Sequence, residues 1–355
     1  MTTQRAVKVL SEGKATVADN APLPALREGD VLVKIACVAI NPADGKSLVM
    51  SPTPGAVIGS DFAGTIFALA EENGAGTIKL KVGDRVCGFV FGNNPFRVDN
   101  GAFSEYVAVP AGLVIRIPDS MSFEEAATLG TGLATSGLAL YHMLKLPMPS
   151  QPATKPSYAL VYGGGTSTGT IAIQLLRRSG FIPVTTCSPR SEARLKSIGA
   201  AHTFDYKAPT CGSDIREYTQ NQLAVALDCI TDTRSMTICY EAIGTAGGDY
   251  LALNPFPLRA HTRRSVKPDW IITYSVFDQP IGWQRPFNWD PRPLDKEFAV
   301  KWYEQASQLL DRNLIRSHPY QIRPGGLNAV PEGVESVWKG EIMGHKLVYQ
   351  VQDSV

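Results

Sequence analysis

The sequence predicts an α/β protein in two parts, a small irregular β-barrel followed by a parallel sheet that helices cover. Residues 1 to about 120 contain short apolar runs between Gly and Asp turns, which is typical of a barrel. From about residue 156 to 278, apolar runs alternate with helical stretches, which favours a parallel sheet. The length of 355 residues agrees, because domains usually hold roughly 100–200 residues.

Composition and charge place the chain among ordinary globular proteins. Hydrophobic residues make up 44%, and 34 Lys and Arg balance 33 Asp and Glu. A nucleic-acid binder carries a basic excess that this chain lacks. The six cysteines are widely spaced without a CxxC pair, so we expect reduced, mostly buried thiols and a cytoplasmic location.

The sequence offers no convincing membrane span or signal peptide. The first 20 residues lack an apolar run of signal length. Residues 126–144 lack charged side chains but contain several Thr, Ser and Gly residues and a His. We expect a buried helix with its entry loop there, and no membrane partner.

The first part is expected to contain four strands that follow turn signals, at residues 31–35, 61–66, 85–90 and 104–109. A further strand at 346–351 is expected to return to this part. We therefore assign residues 1–153 and 290–355 to the first domain.

The second domain, residues 154–289, is expected to alternate strands with helices. Its strands are expected at residues 158–162, 181–187, 203–206, 224–230, 250–253 and 270–277, and its first two helices at 171–178 and 189–199. Gly180 is placed to end the first helix and Ser188 to begin the second. A Pro-rich loop at 279–293 leads into an amphipathic helix at 295–313. Because this loop follows the last predicted strand, we expect a blocked sheet edge and a monomer.

The strongest chemical signal is a Gly-rich turn that follows the first strand of the second domain and opens its first helix. The turn comprises Gly163, Gly164, Gly165, Thr166, Ser167, Thr168 and Gly169. Such a turn lets the backbone approach a pyrophosphate, and the helix N-terminus favours the negative charge. The spacing is a degraded dinucleotide fingerprint, with Thr at two fingerprint positions. The alternative is an ordinary strand–helix turn.

The end of the next strand indicates which dinucleotide is bound. NAD sites normally hold an acidic residue there, about 20 residues after the turn, for the ribose 2′-OH. Between Thr170 and Ser191 the chain has neither Asp nor Glu. Ser188 can hydrogen-bond a 2′-phosphate and Arg190 can neutralise it, while Tyr206 can close the same pocket. This pattern favours NADPH, the alternative being that Arg190 is solvated and Tyr206 packs on the sheet.

Three short runs, together with the Gly-rich turn, resemble the medium-chain dehydrogenase/reductase superfamily over nearly the whole chain. They are residues 39–44, 59–64 and 82–86. The resemblance implies a GroES-like β-barrel catalytic domain and a Rossmann domain with a doubly wound parallel sheet. Zinc-dependent members place Cys near Asn41 and a His-Glu pair where Ser60 and Asp61 stand. The chain therefore resembles the zinc-free branch, and no metal site is expected.

Within that branch the chain resembles the trans-acting enoyl reductases of fungal polyketide synthases, such as that of lovastatin nonaketide synthesis. The more specific runs are residues 204–206, 226–231 and 253–257. The resemblance implies NADPH-dependent reduction of an α,β-unsaturated polyketide thioester. It also implies a partner, a polyketide synthase or a synthase–peptide synthetase hybrid, whose acyl carrier domain holds that substrate.

The resemblance also carries over site residues by position. The cofactor would be lined by Ala43, Asp44, Gly45 and Lys46, by the turn from Gly163 to Gly169, and by Ser188, Pro189, Arg190, Ser191, Tyr206, Leu253, Asn254, His345 and Lys346. The acyl pocket would be lined by Thr131, Gly132, Leu133, Ala134, Thr135, Ser136, Gly137, Leu138 and Ala139, and by Thr273, Tyr274, Ser275, Val276 and Phe277. Gly169 departs from the family pattern, which leaves the detailed contacts of the turn open.

Lys46 is the candidate for two catalytic tasks. Hydride addition to the β-carbon of an enoyl thioester builds negative charge on the thioester oxygen, and a nearby donor lowers the barrier. An ammonium group would stabilise that enolate, and a lysine whose pKa is lowered by desolvation could protonate the α-carbon. Asn41 and either Thr131 or Thr135 are further candidate donors. The alternatives are that Lys46 is a solvated surface residue and that water delivers the proton.

Two other functions stay open from the sequence. A quinone or alkenal reductase of the same branch would act on free small molecules, and an NADPH-binding protein without catalysis would turn nothing over. A basic cluster within residues 259–267 is either a docking patch for the carrier domain or a solvated face. The aromatic loop around Trp283 either caps the acyl pocket or packs on the barrel.

Overall fold

A computed structural model describes residues 2–70 and 80–351. The chain divides into two compact units, Met1–Ala134 with Tyr274–Val355, and Thr135–Thr273. We call the first the barrel unit and the second the sheet unit. The domain limits expected at 153/154 and 289/290 stay a prediction. A division into compact units does not show which segments fold as one domain.

Strands and helices are numbered in chain order. The strands are β1 (Thr3–Ser11), β2 (Lys14–Pro22), β3 (Asp30–Ala39), β4 (Asp61–Leu69), β5 (Arg85–Phe89), β6 (Tyr106–Pro110), β7 (Val114–Arg116), β8 (Tyr158–Tyr162), β9 (Ile182–Cys187), β10 (His202–Asp205), β11 (Val225–Asp228), β12 (Gly248–Ala252), β13 (Val266–Trp270), β14 (Ile281–Gly282), β15 (Asn288–Trp289), β16 (Tyr320–Arg323) and β17 (Lys346–Gln350). The α-helices are α1 (Pro42–Met50), α2 (Phe123–Ala126), α3 (Gly130–Gly137), α4 (Ser167–Arg178), α5 (Glu192–Ser197), α6 (Cys211–Tyr218), α7 (Thr233–Ala242), α8 (Pro293–Asp311) and α9 (Gly326–Trp338).

The barrel unit is built on one sheet with the strand order β16-β17-β3-β4-β5-β7, and β6 also pairs with β3. Every pairing in this sheet is antiparallel except that of β16 with β17. Apolar side chains of β3 and β4, among them Val33, Ile35 and Phe62, are fully buried and form part of the core. The pairing of β17 with β3 confirms the predicted return of the last strand.

The sheet unit contains six parallel strands in the order β10-β9-β8-β11-β12-β13. The strands are short and apolar because helices cover them, and Leu160, Val184 and Ala226 are completely buried. In this doubly wound order the chain reverses direction across the sheet between β8 and β11, at their carboxyl ends. The alternation of strands and helices predicted from the sequence is confirmed.

The prediction of a strand at residues 270–277 is wrong. The strand β13 begins earlier and ends at Trp270, and Thr273–Phe277 forms a 3-10 helix. The error has a simple cause, because an apolar run does not distinguish a buried strand from a short buried helix. The second predicted helix, 189–199, is divided into a 3-10 turn at Pro189–Ser191 and α5.

The uncharged stretch at 126–144 is buried, as predicted. It comprises the end of α2, all of α3 and a π-helical turn at Leu138–Met143. Within residues 2–70 and 80–351, no helix combines the length and the apolar character that crossing a bilayer requires.

Candidate active site

The Gly-rich turn of the sheet unit follows β8 and its last three residues form the start of α4, so it opens a helix as predicted. Thr166 caps α4, because its hydroxyl accepts from the Gly169 N–H at 3.0 Å and donates to the Gly163 carbonyl at 2.8 Å. Gly163 has a φ of +84°, a value that favours glycine. A Cβ atom on Gly164 would stand 2.2 Å from Oγ1 of Thr185, so the backbone here lies directly against β9.

Two features of this turn fit the pyrophosphate of a dinucleotide. A Cβ atom on Gly165 would have its nearest neighbour, Oγ of Ser191, at 3.7 Å, so the backbone faces unfilled space there. The buried hydroxyl of Ser167, on the first turn of α4, has no hydrogen-bond partner among the described residues. Unpaired donors at a helix N-terminus are well suited to an anion.

The carboxyl end of β9 carries a cation and no carboxylate. Ser188 is half-buried, and Arg190 is exposed on the 3-10 turn that follows. The next carboxylate along the chain, Glu192, pairs with Lys196 at 2.6 Å. Tyr206 is half-buried just after β10, and its carbonyl accepts from a guanidinium. This arrangement matches the pattern from which NADPH was predicted.

Four further predicted cofactor residues lie next to strand ends, two in each unit. In the sheet unit, Leu253 and Asn254 follow β12 and are half-buried. In the barrel unit, His345 precedes β17, and its buried Nε2 has no hydrogen-bond partner among the described residues. Lys346, the first residue of β17, is buried.

Asp61 is the centre of a buried polar network in the barrel unit. It is the first residue of β4 and is fully buried. Its Oδ1 accepts from the backbone N–H of Thr131 at 2.6 Å and from the Thr131 hydroxyl at 2.5 Å. Its Oδ2 accepts from Nδ2 of Asn41 at 2.9 Å and pairs with the ammonium of Lys346.

The Lys346 ammonium has two further oxygen partners. It donates to Oδ1 of Asn41 at 2.9 Å and to the Thr128 carbonyl at 3.5 Å. The ion pair is therefore buried with its hydrogen-bonding capacity largely met, as a buried pair requires. Sequence reasoning missed Asp61 as a site residue. Its position, where zinc-dependent relatives hold a metal-binding pair, was the available signal.

Asp44 forms a second buried carboxyl site, on the first turn of α1. Its oxygens accept from the Asn41 backbone N–H at 2.7 Å and from the Ser60 hydroxyl at 2.8 Å. Burial raises the pKa of Asp44 to about 7, although both hydrogen bonds act in the opposite direction. The Ser60 hydroxyl also lies 2.9 Å from the hydroxyl of Tyr274. Burial raises the pKa of Tyr274 well above its ordinary value.

Lys46 lies one half-turn further along α1 and is half-buried. Its Nζ is 4.4 Å from the ring centroid of Phe287, a cation–π contact. Burial lowers the pKa of Lys46 from its ordinary value, in the direction that the candidate proton donor needs. The neighbouring Gly45 packs against α9, where a Cβ atom would stand 2.8 Å from Cβ of Trp338.

The predicted acyl-pocket residues are divided between the two units and are mostly buried. In the sheet unit, the hydroxyls of Thr135 and Thr273 are 2.9 Å apart, and Ser136 donates to the Thr168 carbonyl at 3.2 Å. In the barrel unit, the hydroxyl hydrogen of Thr131 lies on Asp61. A donor role for Thr131 would need that hydrogen to leave Asp61.

The two undecided surface features also have defined contacts. Arg263 of the basic cluster donates to three carbonyls at the end of α7, at 2.5–2.7 Å. This member of the cluster therefore caps a helix. Nε1 of Trp283 donates to the Asn93 carbonyl at 2.9 Å, and its ring meets that of Tyr274 at 4.9 Å. Trp283 therefore packs within the barrel unit, but Tyr274 is also a predicted acyl-pocket residue, so these contacts do not decide whether the aromatic loop caps that pocket.

Comparison with known proteins identifies the family. Residues 27–119 match the model of the alcohol dehydrogenase GroES-like domain. The trans-enoyl reductase opdC of Penicillium oxalicum is 55% identical, across 99% of this chain and 98% of its own length. This chain belongs to the trans-enoyl reductase family. A second trans-enoyl reductase, iliB of a Neonectria species, is 53% identical across 99% of this chain and 97% of its own.

Solved structures agree on the fold of this trans-enoyl reductase. The crystal structure of CurK enoyl reductase matches with a TM-score of 0.75 and 18% identity, over 98% of this chain and 99% of its own. The predicted fold class, a GroES-like β-barrel with a Rossmann doubly wound sheet, is confirmed. The resemblance to the medium-chain dehydrogenases and reductases and to the fungal trans-enoyl reductases is confirmed as well, and the chain is an oxidoreductase.

Proposed function

We propose that this trans-enoyl reductase transfers a hydride from NADPH to the β-carbon of an α,β-unsaturated thioester. The thioester is carried by the acyl carrier domain of a partner polyketide synthase or synthase–peptide synthetase hybrid. The observation that carries the proposal is the identity above 50% to named trans-enoyl reductases over nearly the whole length of both chains. The homology covers the barrel unit and the sheet unit alike.

The choice of NADPH over NADH is supported by the carboxyl end of β9. A carboxylate there would hold the 2′-OH of NADH and would repel a 2′-phosphate. Arg190 is exposed and Ser188 is half-buried, so both are available to a phosphate group. The Gly-rich turn and the Ser167 hydroxyl are assigned to the pyrophosphate.

When bound, the dinucleotide supplies the hydride, and the chain's own residues manage the resulting charge and the proton. Negative charge builds on the thioester oxygen as the β-carbon gains hydrogen. Lys46 is assigned to stabilise that oxygen and to protonate the α-carbon. Its lowered pKa supports the second task, because a weaker ammonium gives up its proton more readily.

Asn41 is assigned a donor role, but only one of its two amide hydrogens is available for it. Its amide has two hydrogens, and one already goes to Asp61. Its carbonyl oxygen is occupied by Lys346, which fixes the amide orientation. Thr131 stays a proposed donor on the condition that its hydroxyl hydrogen leaves Asp61. Water remains the alternative proton source if Lys46 only stabilises charge.

The chain is proposed to act as a monomer in the cytoplasm. The sheet unit ends at the edge strand β13, which contains Pro268. Proline lacks the backbone N–H that edge-to-edge pairing of two sheets would use. All six cysteines, which lie within the described residues, carry free thiols, and only Cys229 is not fully buried. Free thiols are typical of a reducing compartment.

Cofactor oxidation with matched substrates tests the proposal. The purified chain is given crotonyl-pantetheine or a benzoquinone, each with NADPH and with NADH. The proposal predicts oxidation of NADPH by the thioester, slower oxidation of NADH and little activity with the quinone. Turnover of the quinone alone would favour a reductase of free small molecules. If the crotonyl thioester is not reduced, the partner synthase with its loaded carrier domain is added. An absence of NADPH oxidation there as well would favour an NADPH-binding protein without catalysis.

A further inference from the structure

Asp228 is a buried carboxyl group of the sheet unit to which the catalytic proposal assigns no role. It is the last residue of β11 and is completely buried. In the parallel pairing of β11 with β8, Asp228 lies in register with Tyr162, the residue that immediately precedes the Gly-rich turn. Asp228 is therefore at the carboxyl edge of the sheet, where ligands of such sheets bind.

The two oxygens of Asp228 hold different parts of the sheet unit. Oδ2 accepts from the hydroxyl of Ser235 on α7 at 2.5 Å and from that of Tyr250 on β12 at 2.8 Å. Oδ1 accepts from the backbone N–H groups of Ile230 and Thr231, both at 2.9 Å. One oxygen is thus anchored to a helix and a strand, and the other holds the segment that follows β11.

That segment, residues 229–231, has a backbone conformation that needs support. Thr231 has a φ of +62°, which lies in the left-handed region. A β-branched residue is strained there and keeps this conformation only where the surrounding structure imposes it. The two hydrogen bonds to Oδ1 of Asp228 supply this constraint, and the Thr231 hydroxyl adds a third to the Asp228 carbonyl at 3.3 Å.

The 229–231 segment lies directly against the first glycine of the turn. A Cβ atom on Gly163 would stand 3.0 Å from Cγ1 of Ile230 and 3.5 Å from Cβ of Cys229. The Cys229 N–H also donates to the Tyr162 carbonyl at 3.0 Å. The segment is therefore packed on the turn and bonded to the end of β8.

The neighbouring strand β9 holds the turn as well. The N–H of Gly163 donates to the Thr186 hydroxyl and that of Gly164 to the Thr186 carbonyl, both at 3.0 Å. Because β8 lies between β9 and β11 in the sheet, the turn is supported from both sides. A site that is ordered before its ligand arrives binds that ligand more tightly.

We propose that Asp228 is a positioning residue for dinucleotide binding, which holds the 229–231 segment against Gly163 and so keeps the Gly-rich turn in its binding conformation. The inference rests on the proposed function, in which this turn receives the pyrophosphate of NADPH. Asp228 is completely buried, so its effect on the cofactor passes through the segment and the turn.

Three variants of the full chain separate this role from a general effect on stability. Asp228→Ala removes both anchors. Asp228→Asn keeps one oxygen for the two N–H groups and gives the two hydroxyls a donor, which they can accept. Tyr250→Phe removes one bond to Oδ2 and leaves both bonds to the segment. We expect fluorescence titration to show NADPH binding weakened about tenfold in Asp228→Ala and changed less than about twofold in the other two variants.

Steady-state kinetics with an enoyl thioester give a second readout. Asp228→Ala should raise KM for NADPH about tenfold and change kcat at saturating NADPH less than about twofold. The reason is that the lost bonds order the empty site and do not touch the reacting atoms. A lower kcat at an unchanged KM would overturn the proposal, as would unchanged NADPH affinity in Asp228→Ala or an equal loss of affinity in Tyr250→Phe.

If Asp228→Ala does not fold, Ile230→Ala replaces it, because this side chain is 44% exposed and its truncation leaves the carboxylate network intact. The measurement is then amide hydrogen exchange of the cofactor-free chain. Faster exchange at Gly163 and Gly164 than in the unmodified chain would support the proposal, and equal exchange would overturn it. Failure of the unmodified chain to bind NADPH would instead overturn the proposed function itself.

Discussion

At the scale of single residues, two of the buried carboxyl groups of the barrel unit, those of Asp44 and Asp61, lie in different environments. Asp61 faces the ammonium of Lys346, whereas Asp44 is held by neutral donors, the Asn41 N–H and the Ser60 hydroxyl. Burial raises the pKa of Asp44 to about 7. This difference gives the pH dependence of stability a specific origin.

The substitution Asp44→Asn should remove a loss of stability that the unmodified chain shows between about pH 4 and pH 7. A carboxyl whose pKa is higher in the folded state binds more protons there than in the unfolded state, so stability falls as the pH rises. Relative to Asp44→Asn, the unmodified chain should lose up to a few kcal/mol, since one pKa unit corresponds to about 1.4 kcal/mol. Urea unfolding of both chains across this pH range measures the difference. A constant difference across the range would contradict the assignment.

Replacing Lys46 by alanine should lower kcat for the enoyl thioester about a hundredfold, the usual scale for losing a general acid. Arginine keeps the positive charge but is a poor proton donor. Lys46→Arg should therefore restore only part of the kcat that Lys46→Ala loses. Steady-state kinetics with NADPH are the measurement. An unchanged kcat in both variants would assign the proton to water and leave Lys46 without a catalytic role.

Arg190→Ala should weaken NADPH binding about tenfold and leave NADH binding unchanged, because only NADPH carries the 2′-phosphate. Arg264 is also an exposed arginine of the sheet unit, so Arg264→Ala is the matched control. Fluorescence titration with both cofactors compares the variants. Equal losses for NADPH and NADH would show that Arg190 does not read the phosphate.

At the scale of the element, two adjacent glycines of the turn between β8 and α4 have separable roles. Gly164→Ala would force a Cβ atom to within 2.2 Å of Thr185, so we expect a loss of about 1–3 kcal/mol in unfolding free energy. Gly165→Ala meets no atom nearer than 3.7 Å, so it should leave stability unchanged and weaken NADPH binding. Thermal unfolding and cofactor titration of both variants distinguish the two roles. The reverse pattern would contradict the assignment of the turn.

The sequence predicted the elements whose signals are local. The strand, Gly-rich turn and helix from 158 to 178 are contiguous, so periodicity and turn residues sufficed. Thr273–Phe277 was wrong as a strand, because its apolar character reflects burial and not the backbone conformation. Helices such as α1 and α9 were not predicted, and α9 even contains Pro331 in its interior. A proline inside a helix is normally evidence against that helix, so Pro331 gave a misleading signal in the sequence.

At the scale of the whole molecule, contacts distant in sequence complete the barrel unit. Asp61 and Lys346 are 285 residues apart, and no periodicity relates them. The sequence analysis placed Lys346 at the cofactor by resemblance and passed over Asp61. The network that joins them, with Asn41 and Thr131, exists only because β17 pairs with β3 beside β4.

Removing one charge of the Asp61–Lys346 pair should lower the unfolding free energy more than removing both charges. Lys346→Met leaves the fully buried Asp61 carboxylate without its cation, and we expect a loss of about 3–5 kcal/mol. The double variant Asp61→Asn with Lys346→Met removes both charges and should lose less than Lys346→Met alone. Urea unfolding gives each free energy. Losses that simply add in the double variant would show that the two charges are not coupled.

The fate of the transferred hydrogen tests the central claim most directly. The chain is incubated with crotonyl-pantetheine and NADPH that carries deuterium at both hydrogen positions of C4 of the dihydronicotinamide, and the saturated thioester is analysed by NMR and mass spectrometry. Hydride transfer to the enoyl group predicts one deuterium, on the β-carbon, and a solvent proton on the α-carbon. Deuterium at the α-carbon, or a saturated product without deuterium, would contradict the account.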